Sequence, residues 1–339
     1  MILRQAQDAR QMKKVMEVIR RHRRFSVTSH INPEGDALGS AIGLGLLLKR
    51  LGKQVVLAQD GGIPPSLKFL PGSLPGIGGP GRKISAEVSF ICDVPVLSRI
   101  GSIQKVIQQV PLVVCIDHHV SNQRFADINW VDPHAAAVGE MIYRLYKVFR
   151  LKPRKEEALC LYTSLVSDTG SFRYMNTTPA VHEIAAELIK AGVSPLKVSQ
   201  NLYETHSVTD LKFLGTVLRS MRHSPDGRVA WLEIPWVLFR ASKAKPEVID
   251  EIVNYPRSVR SAEVAFVMRE TPDRKKVRVS LRSKGRIDVN QIARHFNGGG
   301  HMAASGCVIE GSLSQARNRL LKVTQQAIAK KFGRTASHR

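Results

Sequence analysis

Three short apolar runs in the first part of the chain each stop on a residue able to bind a metal ion. Residues 25–29 run into His30, residues 88–92 into Asp93, and residues 112–116 into Asp117-His118-His119. A fourth run spans 54–58, and helix-period segments at 8–21, 37–51, 136–149, 156–167 and 180–191 alternate with these strands. That alternation predicts an α/β domain on a mostly parallel open sheet with flanking helices. In such sheets ligands gather in the crevice beyond the carboxyl ends of the strands. One fold could therefore bring His30, Asp93 and the 117–119 triplet together.

The texture changes after Gly192. Residues 195–221 carry Leu202, Leu211, Leu214, Val217 and Leu218 at helical spacing, and are expected to form a helical connector. Strand-like runs follow at 229–234, 262–269 and 276–282, with turn residues at 224–227 and 271–273, a glycine-rich turn at 297–300 and a basic final helix. The expected division is 1–192 for the first domain, 193–222 for the connector, 223–330 for a smaller α/β domain and 331–339 for a basic tail without fixed structure. Residues 61–81, rich in Gly and Pro, are expected to be an irregular loop. A length of 339 residues accommodates two cores of this kind.

Composition narrows the partners. The chain has 51 Lys and Arg against 28 Asp and Glu, a net charge of +23, which favours phosphate-rich partners and argues against cationic ones. The longest apolar stretch, 41–48, is broken by Gly43 and Gly45 and ended by Lys49, far short of the roughly 20 residues a bilayer span needs. No membrane association is expected. The first 24 residues are charged throughout and lack the apolar centre of a secretory signal. Cys92, Cys115, Cys160 and Cys307 are widely spaced and form no C-x-x-C pair, as expected of buried thiols in a reducing compartment. The expectation is a cytoplasmic protein.

Several clusters could carry chemistry. In His30-Ile-Asn-Pro-Glu34-Gly-Asp36 a strand end, a tight turn and a helix start place one imidazole near two carboxylates, enough for ligands to two neighbouring ions. Nitrogen and carboxylate donors suit Mn²⁺ or Mg²⁺ better than a thiolate-loving metal. Asp117 could orient a ligating imidazole, with His118 and His119 turned one to metal and one to substrate at the strand break. Asp168 closes the apolar run 161–167 as a further carboxylate. In the second domain Arg282 could grip a phosphate in a bidentate fork, and Gly298, Gly299 and Gly300 could form an anion-binding concavity beside His301. Each residue alone also reads as a helix cap, a turn or a surface cation.

Taken in order, these segments resemble the DHH phosphoesterase superfamily, named for the triplet present here as Asp117-His118-His119. The matching residues are His30 to Ser40, Asp93, Ile116 to His119, and Ser167-Asp168-Thr-Gly-Ser171. Gly298 to His301 resembles the Gly-Gly-Gly-His signature of the DHH-associated C-terminal domain. Within the superfamily the chain is most similar to the two-domain nano-RNases, which hydrolyse short RNA oligonucleotides to mononucleotides and dephosphorylate 3′-phosphoadenosine 5′-phosphate. RecJ-like single-strand exonucleases and cyclic-dinucleotide or linear-dinucleotide phosphodiesterases are the alternatives.

The resemblance implies two divalent metal ions, with Mn²⁺ expected ahead of Mg²⁺. His30, Glu34 and Asp93 would hold one, and Asp36, Asp93, His118 and Asp168 the other. It implies that Asp117 sits behind the ligands or ligates weakly and that His119 faces the scissile phosphate. Arg282, His301 and the Gly298 to Gly300 backbone would bind the terminal phosphate of the substrate. Position 34 is usually Asp in the family and is Glu here. Asn297 and Ser305 stand where Gly and Ala are more usual. The sequence leaves a homodimer open.

Overall fold

In a computed structural model, which describes residues 2–72, 76–77, 85–244, 249 and 252–333, the chain forms two compact units, Met1–Thr205 and His206–Arg339. The first unit holds strands β1 (Arg24–Thr28), β2 (Gln54–Ala58), β3 (Gly76–Ile77), β4 (Val88–Cys92), β5 (Leu112–Asp117) and β6 (Ile128–Val131). They form one sheet in the order β3-β2-β1-β4-β5-β6, and every neighbouring pair is parallel. The order reverses direction between β1 and β4. The crevice beyond those two strands is the topological switch point where open α/β sheets place their ligands.

Helices α1 (Ile2–Arg21), α2 (Gly35–Arg50), the short α3 (Gln104–Ile107), α4 (Val138–Val148), α5 (Lys155–Asp168), α6 (Pro179–Lys190) and α7 (Pro195–Tyr203) complete the unit. α2 is buried from Gly35 through Leu48, so its apolar residues run all round rather than along one stripe. Leu38, Leu44 and Leu47 are fully buried in the main core, each worth roughly 1.5–3 kcal/mol against exposure. Against α5, the stripe Gly35, Gly39, Gly43 meets Ser167, the Cys160 carbonyl and Leu161. The two helix backbones approach closely because no side chain stands between them.

The second unit holds α8 (Val208–Leu218), α9 (Trp236–Ser242), α10 (Asn254–Ser258), α11 (Val289–Arg294) and α12 (Leu313–Phe332), with strands β7 (Arg222–His223), β8 (Val229–Ile234), β9 (Val264–Glu270), β10 (Lys276–Ser283), β11 (Gly299–Gly300) and β12 (Ala304–Glu310). The sheet order is β11-β12-β10-β9-β8-β7, antiparallel except for the β8/β9 pair. One core lies between this sheet and α11 and α12, and another lies under α8 and α9. This is the smaller α/β domain that the sequence leads one to expect.

The connector comprises two helices, because Ser207 and Asp210 form a capping box that starts α8 afresh. The units divide between Thr205 and His206, inside that connector. The basic tail begins later than expected, since α12 continues to Phe332, whose ring lies under the guanidinium groups of Arg228 and Arg286, both 5.2 Å from its centroid. Residues 334–339 of that tail lie outside the described residues, as do 73–75 and 78–84, which include most of the end of the glycine- and proline-rich loop. All four cysteines are buried and free, and no described helix is long and apolar enough to cross a membrane.

Candidate metal centre

The residues that end β1 and β4 face each other across the switch point. Past Thr28 the chain is held by Gln59, just beyond β2, which accepts from the Ser29 hydroxyl at 2.9 Å and donates to the His30 carbonyl at 2.7 Å. His30, 1% exposed, donates from Nδ1 to the Ile31 carbonyl at 2.8 Å. That bond fixes the tautomer and turns Nε2 toward Glu34 Oε1 at 2.9 Å and Asp93 Oδ2 at 3.8 Å. Glu34 caps the start of α2 and has a half-exposed side chain. Desolvation would raise its carboxyl pKa, but His30 beside it holds it well below the usual range. Asp93, the residue after β4, adopts φ +59°, a left-handed conformation uncommon outside glycine, and its carboxylate lies between His30 and His118.

A second group forms around His118, which follows β5. Its Nδ1 donates to the Ala135 carbonyl at 3.0 Å, and its Nε2 meets Asp168 Oδ2 at 3.0 Å, Asp36 Oδ2 at 3.6 Å and Asp93 Oδ1 at 3.6 Å. Asp36, fully buried in the first turn of α2, accepts from the Val138 amide at 2.8 Å, the Gly139 amide at 3.2 Å and the Ser164 hydroxyl at 2.5 Å. Those amides are the unsatisfied donors at the start of α4, a natural partner for a carboxylate. Burial and then Asp168 nevertheless push Asp36 up to about 7, and burial with the surrounding carboxylates holds Asp93 well above its ordinary value. Burial opposes the charged form of His118, yet Asp168, Asp36 and Asp117 raise its pKa to about 10.

Behind these groups Asp117 Oδ1 accepts from the His118 amide at 2.8 Å and from His119 Nδ1 at 2.8 Å, and its Oδ2 accepts from Asn122 at 2.6 Å. Burial would raise Asp117, but His119 outweighs it and the carboxyl sits at about 2. Asp117 is thus satisfied by the protein itself, whereas Asp93 Oδ1 is buried with no hydrogen-bond partner, 3.4 Å from His119 Nδ1.

Within the first unit, three sets of side chains bring donor atoms within 4.8 Å of one another: His30, Glu34 and Asp93; Asp36, His118 and Asp168; Asp93, Asp117 and His119. This is the donor chemistry of a divalent cation. Two imidazoles each spend Nδ1–H on a backbone carbonyl and present Nε2 to carboxylates, and Asp93 adjoins both groups with an unsatisfied oxygen.

Comparison with known proteins gives this arrangement a lineage. The model of the DHH family, N-terminal domain, matches residues 24–165, and that of the DHHA1 domain matches residues 232–330. The Thermus thermophilus protein named bifunctional oligoribonuclease and PAP phosphatase NrnA is 31% identical over 319 residues, which cover 90% of each chain. The chain belongs to the DHH family of phosphoesterases. A Bacillus subtilis protein of the same name is 31% identical over 286 residues, covering 83% of this chain and 87% of its own. The crystal structure of an exopolyphosphatase-related protein from Bacteroides fragilis superposes with a TM-score of 0.82 at 26% identity, covering 95% of this chain and 96% of that one. As a DHH phosphoesterase the chain is a hydrolase, and its acidic and imidazole clusters suit the divalent cations that the family uses.

The residues of the DHHA1 unit cluster at one end of its own sheet. Arg282, near the end of β10, pairs in register with Ala304, whose carbonyl accepts from the His301 amide at 2.7 Å. Of the glycine turn, the Gly298 amide is committed to the Ala293 carbonyl at 2.9 Å, closing α11, and so is not turned to a ligand. A Cβ at Gly298 would collide with the Gly306 carbonyl, so packing alone demands glycine there. Sequence reasoning missed Gln59, Asn122 and Ser164, which hold the ligand-bearing segments. Nothing short of the fold marks them, because each partner lies on another element.

Proposed function

We propose that this DHH phosphoesterase is a cytoplasmic nano-RNase, hydrolysing short RNA oligonucleotides to mononucleotides and dephosphorylating 3′-phosphoadenosine 5′-phosphate. The observation that carries the reading is the pair of ligand groups adjoining Asp93 at the switch point. His30, Glu34 and Asp93 would hold one divalent ion, and Asp36, Asp93, His118 and Asp168 the other, with Mn²⁺ ahead of Mg²⁺. Bound ions of this kind supply Lewis acidity to phosphoryl oxygens and acidify water to near neutrality. Asp117 fixes the His119 ring through Nδ1, and His119 takes the scissile phosphate. Arg282, His301, Gly299 and Gly300 bind the terminal phosphate, so cleavage counts from that end and favours short strands. The assignment of oligonucleotide and bisphosphate substrates is supported by the names of the two relatives.

The deciding experiment is Mn²⁺-dependent hydrolysis of a 5′-phosphorylated RNA dinucleotide, a 24-mer and 3′-phosphoadenosine 5′-phosphate. Rapid turnover of the dinucleotide and the bisphosphate, with the 24-mer slow, is expected. Asp168→Ala should lower all rates by more than roughly 100-fold, since loss of a ligand exceeds the roughly 10–100-fold cost of losing a partner behind one. Rapid degradation of the 24-mer would replace the reading with a RecJ-like exonuclease, which the +23 charge favours.

A second expected result concerns the clamp. Arg282→Ala should raise KM for the phosphorylated dinucleotide by roughly 10–100-fold, the worth of a hydrogen bond to a charged group. It should leave hydrolysis of a dinucleotide without a terminal phosphate nearly unchanged. Equal losses on both substrates would remove Arg282 from the terminal-phosphate site.

A further inference from the structure

Residues 132–139, from the end of β6 into the first turn of α4, bond directly to His118 and Asp36 and reach Asp168 through Asn176. Ala135 accepts from His118 Nδ1, Val138 and Gly139 donate to Asp36, and Asn176 donates both to the Ala136 carbonyl and to the Asp168 carbonyl at 3.0 Å each. Whatever fixes residues 132–139 therefore fixes three ligands at once. Two acidic side chains hold that segment from its ends. Asp132 Oδ1 accepts from the His134 amide at 3.2 Å, and Glu140 Oε2 accepts from the Ala136 amide at 2.8 Å. Both are buried, and one residue bridges them. Arg144 donates from Nη1 to Asp132 Oδ2 at 2.8 Å and from Nη2 to Glu140 Oε1 at 2.5 Å. It also reaches Asp8 Oδ2 of α1 at 3.3 Å, and Asp8 accepts from the Trp130 indole at 2.6 Å.

We propose that Arg144 is a positioning residue that clamps residues 132–139 and thereby sets the geometry of the Asp36, His118 and Asp168 ligand group. Without the guanidinium, two buried carboxylates lose their common counter-charge and the segment loses its tie at both ends. Only a planar fork can meet Asp132 and Glu140 together, so a point charge replaces it incompletely. The His30, Glu34 and Asp93 group meets the His118 group through Asp93, whose Oδ1 lies 3.6 Å from His118 Nε2. The inference rests on the two-ion reading above, and its test separates the two.

The test is calorimetric Mn²⁺ titration of the metal-stripped full-length protein, with melting temperature in chelator and steady-state kinetics alongside. Arg144→Met is expected to weaken one Mn²⁺ site by about 10–100-fold, the range for partners behind metal ligands, and to leave the other near wild type. The loss should appear in kcat more than in KM, and Arg144→Lys should recover part of the affinity. A lower melting temperature with both affinities unchanged, or both weakened equally, would overturn the clamp and leave Arg144 a structural residue. If Arg144→Met does not fold, Asp132→Asn releases one end of the clamp and is judged by the same criteria. Wild-type protein that takes up no Mn²⁺ would overturn the metal centre itself, whereas normal wild-type uptake with unaltered variants would overturn only the clamp.

Discussion

Replacing Asp93 with Asn is expected to lower hydrolysis by more than about 100-fold, beyond the range typical of partners behind a metal ligand, because Asp93 adjoins both ligand groups. The same change is expected to raise the melting temperature of the metal-free protein. Asp93 is 1% exposed, and burial together with Asp36, Glu34, Asp168 and Asp117 disfavours its charged form. A carboxyl whose pKa is higher in the folded chain than in the unfolded one costs stability as pH rises from the unfolded value of about 3.9 toward the folded one. Asn has no proton to lose and escapes that cost, so in chelator the advantage of the variant should widen as pH rises above the unfolded value. In excess Mn²⁺ the order should invert, since a ligand at 100 times its Kd stabilises the wild type by about 2.7 kcal/mol. Melting curves in both conditions check this. A variant that still gains stability from Mn²⁺ and still hydrolyses RNA would show that Asp93 is not a shared ligand.

Gly39→Ala should damage the enzyme from a distance. In an exposed helix the change would stabilise by nearly 1 kcal/mol. Here a Cβ would stand 2.6 Å from the Cys160 carbonyl, an atom of the α5 backbone that cannot rotate away. Overpacking of this kind costs roughly 1–3 kcal/mol, and relief requires α2 and α5 to separate. Those helices carry Asp36 in the first turn of one and Asp168 at the end of the other. The variant should melt about 4–8 °C lower and lose Mn²⁺ affinity together with activity. Gly215→Ala, in α8, where a Cβ would meet nothing within 4 Å, should be neutral or mildly stabilising and serves as the control. Wild-type melting and metal affinity for Gly39→Ala would refute the argument.

The sheet around the centre was readable because its strands run apolar until they meet the crevice, and there the residue type changes to ligand chemistry. Val88–Cys92 is buried at every position, which is why the run ends so visibly at Asp93. β6 was not readable. It is four residues long with Asn129 inside it, and what secures it comes from far away, Asp8 bonding Trp130 and Gln11 bonding the Val131 amide. Arg144 reads in sequence as an ordinary surface cation of α4, and its three carboxylates are visible only once α1 and β6 are placed. In the glycine turn, Gly298 is fixed by helix closure and by contact with Gly306, which leaves Gly299 and Gly300 for the proposed anion site. Glu34, the one departure from the family pattern, reaches His30 across i,i+4 and keeps its carboxylate in the group.

Five carboxylates, those of Glu34, Asp36, Asp93, Asp117 and Asp168, crowd one crevice. With divalent ions bound there as proposed, relief of their mutual repulsion would tie the abundance of the polypeptide to the cation supply. Proteases act on the transiently opened chain, and the opened fraction grows whenever a stabilising ligand is scarce. In a cell starved of divalent cations this protein would be cleared rather than stored idle, and its half-life would report the cation supply.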